Sequence, residues 1–491
     1  MDFRYKTIFK TLGLMLLISG IAMIPSLLYA AITNDTDTER AFIATAGVSI
    51  IIGGMMRFFI PRSERAFRTR DGYLSLLLCW VVCSLVGALP YLLSGQITSI
   101  SSAIFESTAG YTTTSASAVP DTVLTGALVL WKATMHWIGG LGIVVFTISI
   151  LPSFGTGSQR IAAAEAPGTG MYRTSARTFD ISKMLVISYT AMTLCEFLML
   201  LLGSSMGPYD ALVNSFGSIS TAGLLLHQGS ISYYSSLYVE LVIACFTLLA
   251  SVNFLMYIYA VKGTWSEIKR NLELKTYFCV IAVCTLLITV DLWGTGTFSS
   301  LGSSLRYAFF QVCSFSSTSG FSIGDYNYWP AFSQMILFII VLGGGCIGST
   351  SGGIKIIRCI IMCKLVFRGF YRRVHSRSVR AIKIGDRAIS GKMVSGITSF
   401  ALLFLGIFVG TAVVLSLQGL DMSSTLSAAA SLLTTMGSGF GVIGPSGDYS
   451  MFCAPLKLFM SLIMIVGRLE LFSVFLLFMP EFWDPNKAKL R

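Results

Sequence analysis

The chain has 491 residues, of which 54% are hydrophobic and only 12% charged, and its mean hydropathy is +0.75. That balance excludes a soluble globular domain and a disordered polymer, because apolar runs long enough to cross a bilayer recur along the whole length. The formal net charge of +12 sits in alternate loops, so it reads as membrane topology and not as a nucleic-acid signature.

Taken in order, the apolar runs predict ten spans near 8–31, 41–60, 73–94, 125–151, 181–205, 233–261, 276–294, 331–365, 391–417 and 455–480. The first run, from Ile8, is too long for a signal-peptide core and has no small-residue cleavage site, so it is expected to be retained. Lys and Arg cluster in 1–10, 61–71, 155–183, 262–275, 355–392 and 484–491, which together hold 29 of the 35. The positive-inside rule places those segments, and hence both termini, in the cytoplasm. The opposite loops carry Asp35, Asp37, Glu39, Asp121, Asp210, Asp325, Asp421 and Asp448. An acidic outer face of this kind concentrates cations at a pore mouth.

The eleven cysteines show neither metal nor disulfide spacing, and the three histidines are not paired at ligand distance. Free buried thiols are expected, and His136 reads as a packing or hydrogen-bonding residue. No arrangement of His, Cys and carboxylate predicts catalysis. An enzyme is therefore not expected, and no covalent cofactor is expected either. Gly343, Gly345 and Gly348 match a dinucleotide fingerprint by letter, but no strand precedes them and no acid follows at the required distance.

The last eight spans fall into four pairs, each enclosing a segment of about 15 residues that is too short to cross a bilayer. A leading helix pair at 1–71 is thus followed by four helix–loop–helix repeats at 72–155, 180–262, 275–365 and 390–480, and by a tail at 481–491. The predicted fold is an all-α membrane protein with pseudo-fourfold symmetry around one pore.

The four short segments end Thr112-Thr113-Thr114-Ser115, Ser220-Thr221-Ala222-Gly223, Ser317-Thr318-Ser319-Gly320 and Thr434-Thr435-Met436-Gly437. Each has a hydroxyl residue three positions before its last residue and a threonine two before it. Twelve residues upstream of the last position stand Ala103, Ala211, Ala308 and Thr425. Such ends suit a dehydrated monovalent cation, because a glycine loop can turn carbonyl oxygens inward to replace the water shell. The C-terminal end of a preceding short helix also favours positive charge.

Six glycines lie within Gly343–Gly353, namely Gly343, Gly344, Gly345, Gly348, Gly352 and Gly353, inside an apolar run and just before Lys355 and Arg358. Irregular backbone at membrane depth survives only where protein buries it or it lines a cavity. The stretch therefore predicts a movable segment on a pathway, with close helix packing through small residues as the alternative.

Together with Trp137–Gly142 (WIGGLG) and Gly467–Phe472 (GRLELF), these features resemble the Trk/Ktr/HKT superfamily of potassium transporters, in particular its TrkH-type membrane subunit. The resemblance implies K⁺ at the four segment ends, which act as a selectivity filter, with Gly343–Gly353 as an intramembrane gating loop below them. It implies a channel-like uptake path in the bacterial inner membrane. It further implies a homodimer and a cytosolic nucleotide-binding TrkA-type regulatory subunit. Arg468 matches a pore-facing arginine expected beside the gate; pairing with Glu470 is the alternative. The basic stretch Lys355–Lys392 would dock the regulatory subunit or anionic lipid.

Two departures bear on selectivity. Ser115 stands where the other repeats have glycine, and in plant members of the superfamily serine there goes with sodium preference. A serine side chain would narrow the site or disfavour the glycine backbone. A rival register, Ser107–Tyr111, would instead put Gly110 at the filter. In the fourth repeat, Thr434, Thr435 and Met436 replace the Asn-Asn-Leu usual in the TrkH group. A proton- or sodium-coupled symporter is the alternative to a channel.

Overall fold

The structure, a computed structural model, describes residues 5–61, 69–120, 123–145, 175–227, 229–375, 381–385 and 387–483. They belong to two compact units, one of Met1–Gly139 with Asp448–Arg491 and one of Gly140–Gly447. Among the described residues, seven helices are long and apolar enough to cross a membrane, and two further helix pairs are each bent sharply at a short break. The basic residues expected at 155–174 and 484–491, Asp121 and the end of the first repeat lie outside the described residues.

In the first unit the leading helices Tyr5–Ala22 and Thr36–Phe59 pack through glycines. A Cβ on Gly53 would lie 2.7 Å from the Gly13 carbonyl oxygen, and one on Gly13 would lie 2.7 Å from Met56 Cβ. Small residues at both positions let the two backbones approach. Asp35 caps the second of these helices by accepting from the Thr38 amide. The first short helix, Ile100–Thr112, is buried on nearly every side. Its Tyr111 hydroxyl meets Ser19 Oγ at 2.6 Å. Trp131, on the following helix, donates to the Gly87 carbonyl at 3.1 Å. Ala454–Arg468 packs along the same short helix, and the chain then bends by 108° into Phe472–Phe478.

The second unit holds the second, third and fourth short helices, Pro208–Ser220, Leu301–Ser317 and Met422–Leu433. They pack against the long helices Ser175–Gly203, Leu272–Gly294 and Gly391–Ser416 respectively. Asn271, Ser300, Ser390 and Asp421 cap four of these elements through their side chains, which satisfies amides left free at a helix start.

Three expected spans are not single helices. Leu237–Ala250 and Leu255–Val261 meet at 98° across residues 251–254. Residues 455–480 break at Leu469–Leu471, where Glu470 and Leu471 both take positive φ. The run 331–365 is helical only over the 13 residues of Ala331–Gly343, about 20 Å at the α-helical rise. It leaves the helix through 344–355, and a basic helix, Ile356–Val374, follows. One further departure from an all-α chain is a two-residue antiparallel ladder, Lys383–Ile384 with Arg387–Ala388.

Candidate functional site: four threonine turns and a glycine loop

All four short helices end in the same turn. The residue two before the expected filter position is left-handed in each: Thr113 at φ 54°, Thr221 at 55°, Thr318 at 57° and Thr435 at 57°. The next amide reaches back five residues every time. Thr114 donates to Ala109, Ala222 to Gly217, Ser319 to Ser314 and Met436 to Ser431, at 2.7–2.9 Å. This is the six-to-one bond of a Schellman turn, which usually calls for glycine. A β-branched residue in the left-handed region is a genuine outlier, yet threonine occupies it four times.

The turn geometry aligns the first repeat on Ser115. Gly110, the rival filter residue, lies inside the helix, where a Cβ would meet Met135 Cε at 2.8 Å. Its lack of a side chain serves helix packing. At the aligned position Gly320 and Gly437 have φ of 76° and 91°, whereas Ser115 and Gly223 are not left-handed. Serine at 115 therefore carries no backbone penalty, contrary to one of the two expected effects. Gly223 is small for a different reason: a Cβ there would lie 2.9 Å from both Phe321 Cδ1 and the Ser319 carbonyl oxygen.

The hydroxyls divide by position. Those of Thr112, Ser220, Ser317 and Thr434 bond back to carbonyls of their own helices. The left-handed threonines differ among themselves. Thr221 donates to Ser220 O at 2.7 Å and Thr318 accepts from the Gly352 amide at 2.8 Å. Thr113 and Thr435 keep buried hydroxyl oxygens without a hydrogen-bond partner. In the second unit neighbouring turns are joined directly: Gly223 N donates to Ser319 O at 2.5 Å, and Ser438 Oγ donates to Gly320 O at 3.2 Å.

The glycine stretch is a loop in the second unit, pinned on three sides. Cys346 N reaches Ser251 O at 2.9 Å, Thr350 N reaches Ala250 O at 3.3 Å, and Phe254 N reaches Gly348 O at 3.1 Å. These bonds fill the break in the bent helix pair. Glu273 Oε1 accepts from Ile347 N at 2.8 Å. Gly352 touches the third and fourth turns, through Thr318 Oγ1 and through the Thr434 carbonyl. Gly344, Gly348 and Gly353 have positive φ. At Gly345 and Gly352 a Cβ would collide with Ser351 Oγ and Thr434 O. Gly343 meets neither condition, and nothing in the structure requires glycine there.

Arg468 and the Thr112–Ser115 turn belong to the first unit. Arg468 ends its helix in a buried position and donates to Gly139 O at 3.5 Å. Glu273, Ser251 and the Thr318 contact were not foreseen from the sequence, nor was a buried ion pair between Glu106 and Lys132. The signals were Glu273 in the first turn of a helix, Lys132 in an apolar run, and Glu106 in the Glu-Ser…Gly-x-Thr-Thr-Thr stretch of Glu106–Thr114 that resembles the family's. Among the described residues no group of three or more His, Cys, Asp and Glu could hold a metal ion, and none of the eleven cysteines forms a disulfide; four of them are buried and five, contrary to expectation, are exposed.

The TrkH family profile, described as a cation transport protein, matches residues 38–485. The Trk system potassium uptake protein TrkH of Halomonas elongata is 31% identical over 487 residues, covering 97% of this chain and 99% of that protein. TrkG of Escherichia coli K12, also a Trk system potassium uptake protein, is 29% identical over 476 residues, covering 96% and 97%. The crystal structure of the potassium transporter TrkH from Vibrio parahaemolyticus superposes with a TM-score of 0.88 at 27% identity, covering 98% of this chain and all of that one.

Proposed function

Because this chain belongs to the TrkH family of cation transport proteins, a transport family and not an enzyme family, we propose that it carries K⁺ inward across the bacterial cytoplasmic membrane. The observation that carries the reading is the fourfold recurrence of one strained threonine turn at the negative end of a short helix. A β-branched residue is held in the left-handed region only where surrounding structure over-determines it, and such strain gathers at ligand clamps. Each turn offers carbonyl oxygens, and Thr113 and Thr435 also hydroxyl oxygens, to a dehydrated cation.

On this reading the chain crosses the membrane ten times, counting the three broken spans, with both termini cytoplasmic. Residues 343–353 form the gate below the turns. Their bonds to Ser251, Glu273 and Thr318 hold it shut, and Arg468, matching the family's arginine, opposes cations with its positive charge. The protein acts as a homodimer, and a cytosolic TrkA-type subunit binds the basic stretch Lys355–Lys392 and releases the loop. K⁺ is cargo, and no resident cofactor takes part.

The test is Rb⁺ and Na⁺ flux, measured side by side in liposomes holding the purified protein. Rb⁺ flux with Na⁺ excluded supports K⁺ uptake. Equal Na⁺ flux means that the Ser115 side chain sets a sodium-permeable filter. Flux of neither ion, from folded protein with its regulatory partner present, overturns the transport reading.

A further inference from the structure

The irregular segment that follows each turn must be held in place if its carbonyls are to face an ion. In the third and fourth repeats one serine does this from within the short helix. Ser314 Oγ donates to Phe321 O at 2.6 Å, and Ser431 Oγ donates to Ser438 O at 2.8 Å. The two serines are equivalent, each lying seven residues before the carbonyl it holds. The second repeat has Gly217 at that place and the first has Ala109; neither can make the bond, but the first compensates.

A buried carboxylate takes over there. Glu106 is fully buried, and its Oε1 accepts from Ser117 Oγ at 2.8 Å, Ala118 N at 2.5 Å and Val119 N at 3.0 Å. Its Oε2 pairs with Lys132 Nζ at 2.8 Å, both side chains being essentially inaccessible. Lys132 also donates to Ser117 Oγ at 3.2 Å. A second buried lysine, Lys457, donates to Ser102 Oγ at 3.0 Å, one turn before Glu106 on the same helix face. The positions matching Glu106 in the other repeats are Asn214, Gln311 and Ala428, so the first repeat is the one braced by charge.

Hydrogen bonds to an ionised acceptor are roughly twice as strong as neutral ones. Burying a carboxylate and an ammonium this deeply is costly unless each offsets the other's charge. Residues 117–119 begin two positions beyond Ser115, the one turn end that lacks glycine. We infer that Glu106 and Lys132 are a positioning pair, which fixes the segment after Ser115 and thereby sets discrimination between K⁺ and Na⁺ in the first repeat. The pair rests on the transport reading above, and neither residue touches the ion. Carbonyls that hold their spacing reject the smaller cation, and carbonyls that can relax inward accept it.

Removing one partner alone would strand a buried charge, so the decisive variants change both. E106Q/K132M keeps a carbonyl acceptor for the 118 and 119 amides and leaves no unpaired charge. E106A/K132M removes the acceptor. Fluxes of Rb⁺ and Na⁺ are measured in liposomes at equal reconstituted protein. The expected Rb⁺/Na⁺ ratio is within about twofold of wild type for E106Q/K132M and falls about tenfold for E106A/K132M. Adding A109S to the alanine pair supplies the serine bond of the third and fourth repeats and should restore most of the ratio. If the alanine pair fails to fold, E106L/K132M, which removes the acceptor while filling its volume, serves instead, and there too the ratio should fall. An unchanged ratio in the folded variant overturns the inference and leaves transport intact. A wild-type protein that passes both ions equally also overturns it, since no discrimination is then there to be set. A wild-type protein that passes neither ion removes the transport reading itself.

Discussion

Gly352 lies against Thr434 so closely that a Cβ on the glycine would sit 1.8 Å from the threonine's carbonyl oxygen. The loop and the fourth turn are therefore packed backbone to backbone, and no side chain fits between them. Gly352→Ala forces the two apart. Passive Rb⁺ flux in liposomes, without any regulatory partner, should rise above wild type while the protein still folds. Unchanged flux would mean that this contact does not hold a gate.

Glu273 offers an independent handle on the same loop, since it grips Ile347 N from the start of another helix. Leaving the buried Ile347 amide without its acceptor costs about 1–3 kcal/mol, enough to shift a two-state loop by about tenfold. Glu273→Ala should therefore leak strongly. Glu273→Gln retains an oxygen acceptor and should leak little. Flux assays on the two variants check this order, and equal leak from both would assign Glu273 a role through its charge and not through the bond.

How much of this was legible in the sequence depends on whether a pattern or a single contact is at stake. The four turns were legible because a twelve-residue spacing from Ala103, Ala211, Ala308 and Thr425 repeats, and the same spacing selects Ser115 over Gly110. The glycine loop was legible because glycine is costly in a helix. The break at 251–254 was not, for Ser251-Val252-Asn253-Phe254 contains neither glycine nor proline. That helix breaks where its carbonyls at Ala250 and Ser251 bond to the loop at Thr350 and Cys346; the local mark, Asn253 accepting from the Leu255 amide at 3.0 Å, does not by itself announce a 98° bend. Glu106 with Lys132 is likewise a contact between residues on different helices. No periodicity announces it.

Thr435 allows strain and function to be separated. Its left-handed backbone costs about 1–2 kcal/mol for a side chain of this shape, and its buried hydroxyl has no partner. Thr435→Gly relieves the strain and deletes the oxygen. Thermal stability should hold or rise, while half-saturation of Rb⁺ flux moves to higher concentration. A glycine variant with unaltered Rb⁺ dependence would show that the hydroxyl takes no part in binding.

Ser115 poses the complementary case. Its φ is one that any L residue adopts, so Ser115→Gly gains nothing in strain and loosens the unfolded chain, a loss of about 0.5–1 kcal/mol. The melting temperature should therefore fall slightly. If the serine side chain narrows the path, the same substitution should raise the Rb⁺/Na⁺ flux ratio even as stability drops, because it removes the one side chain at this position among the four turns. Opposite movements of stability and selectivity would trace the effect to the side chain. A ratio that stays put would mean that Ser115 does not narrow the path, and selectivity would then rest on the carbonyl positions that Glu106 and Lys132 hold.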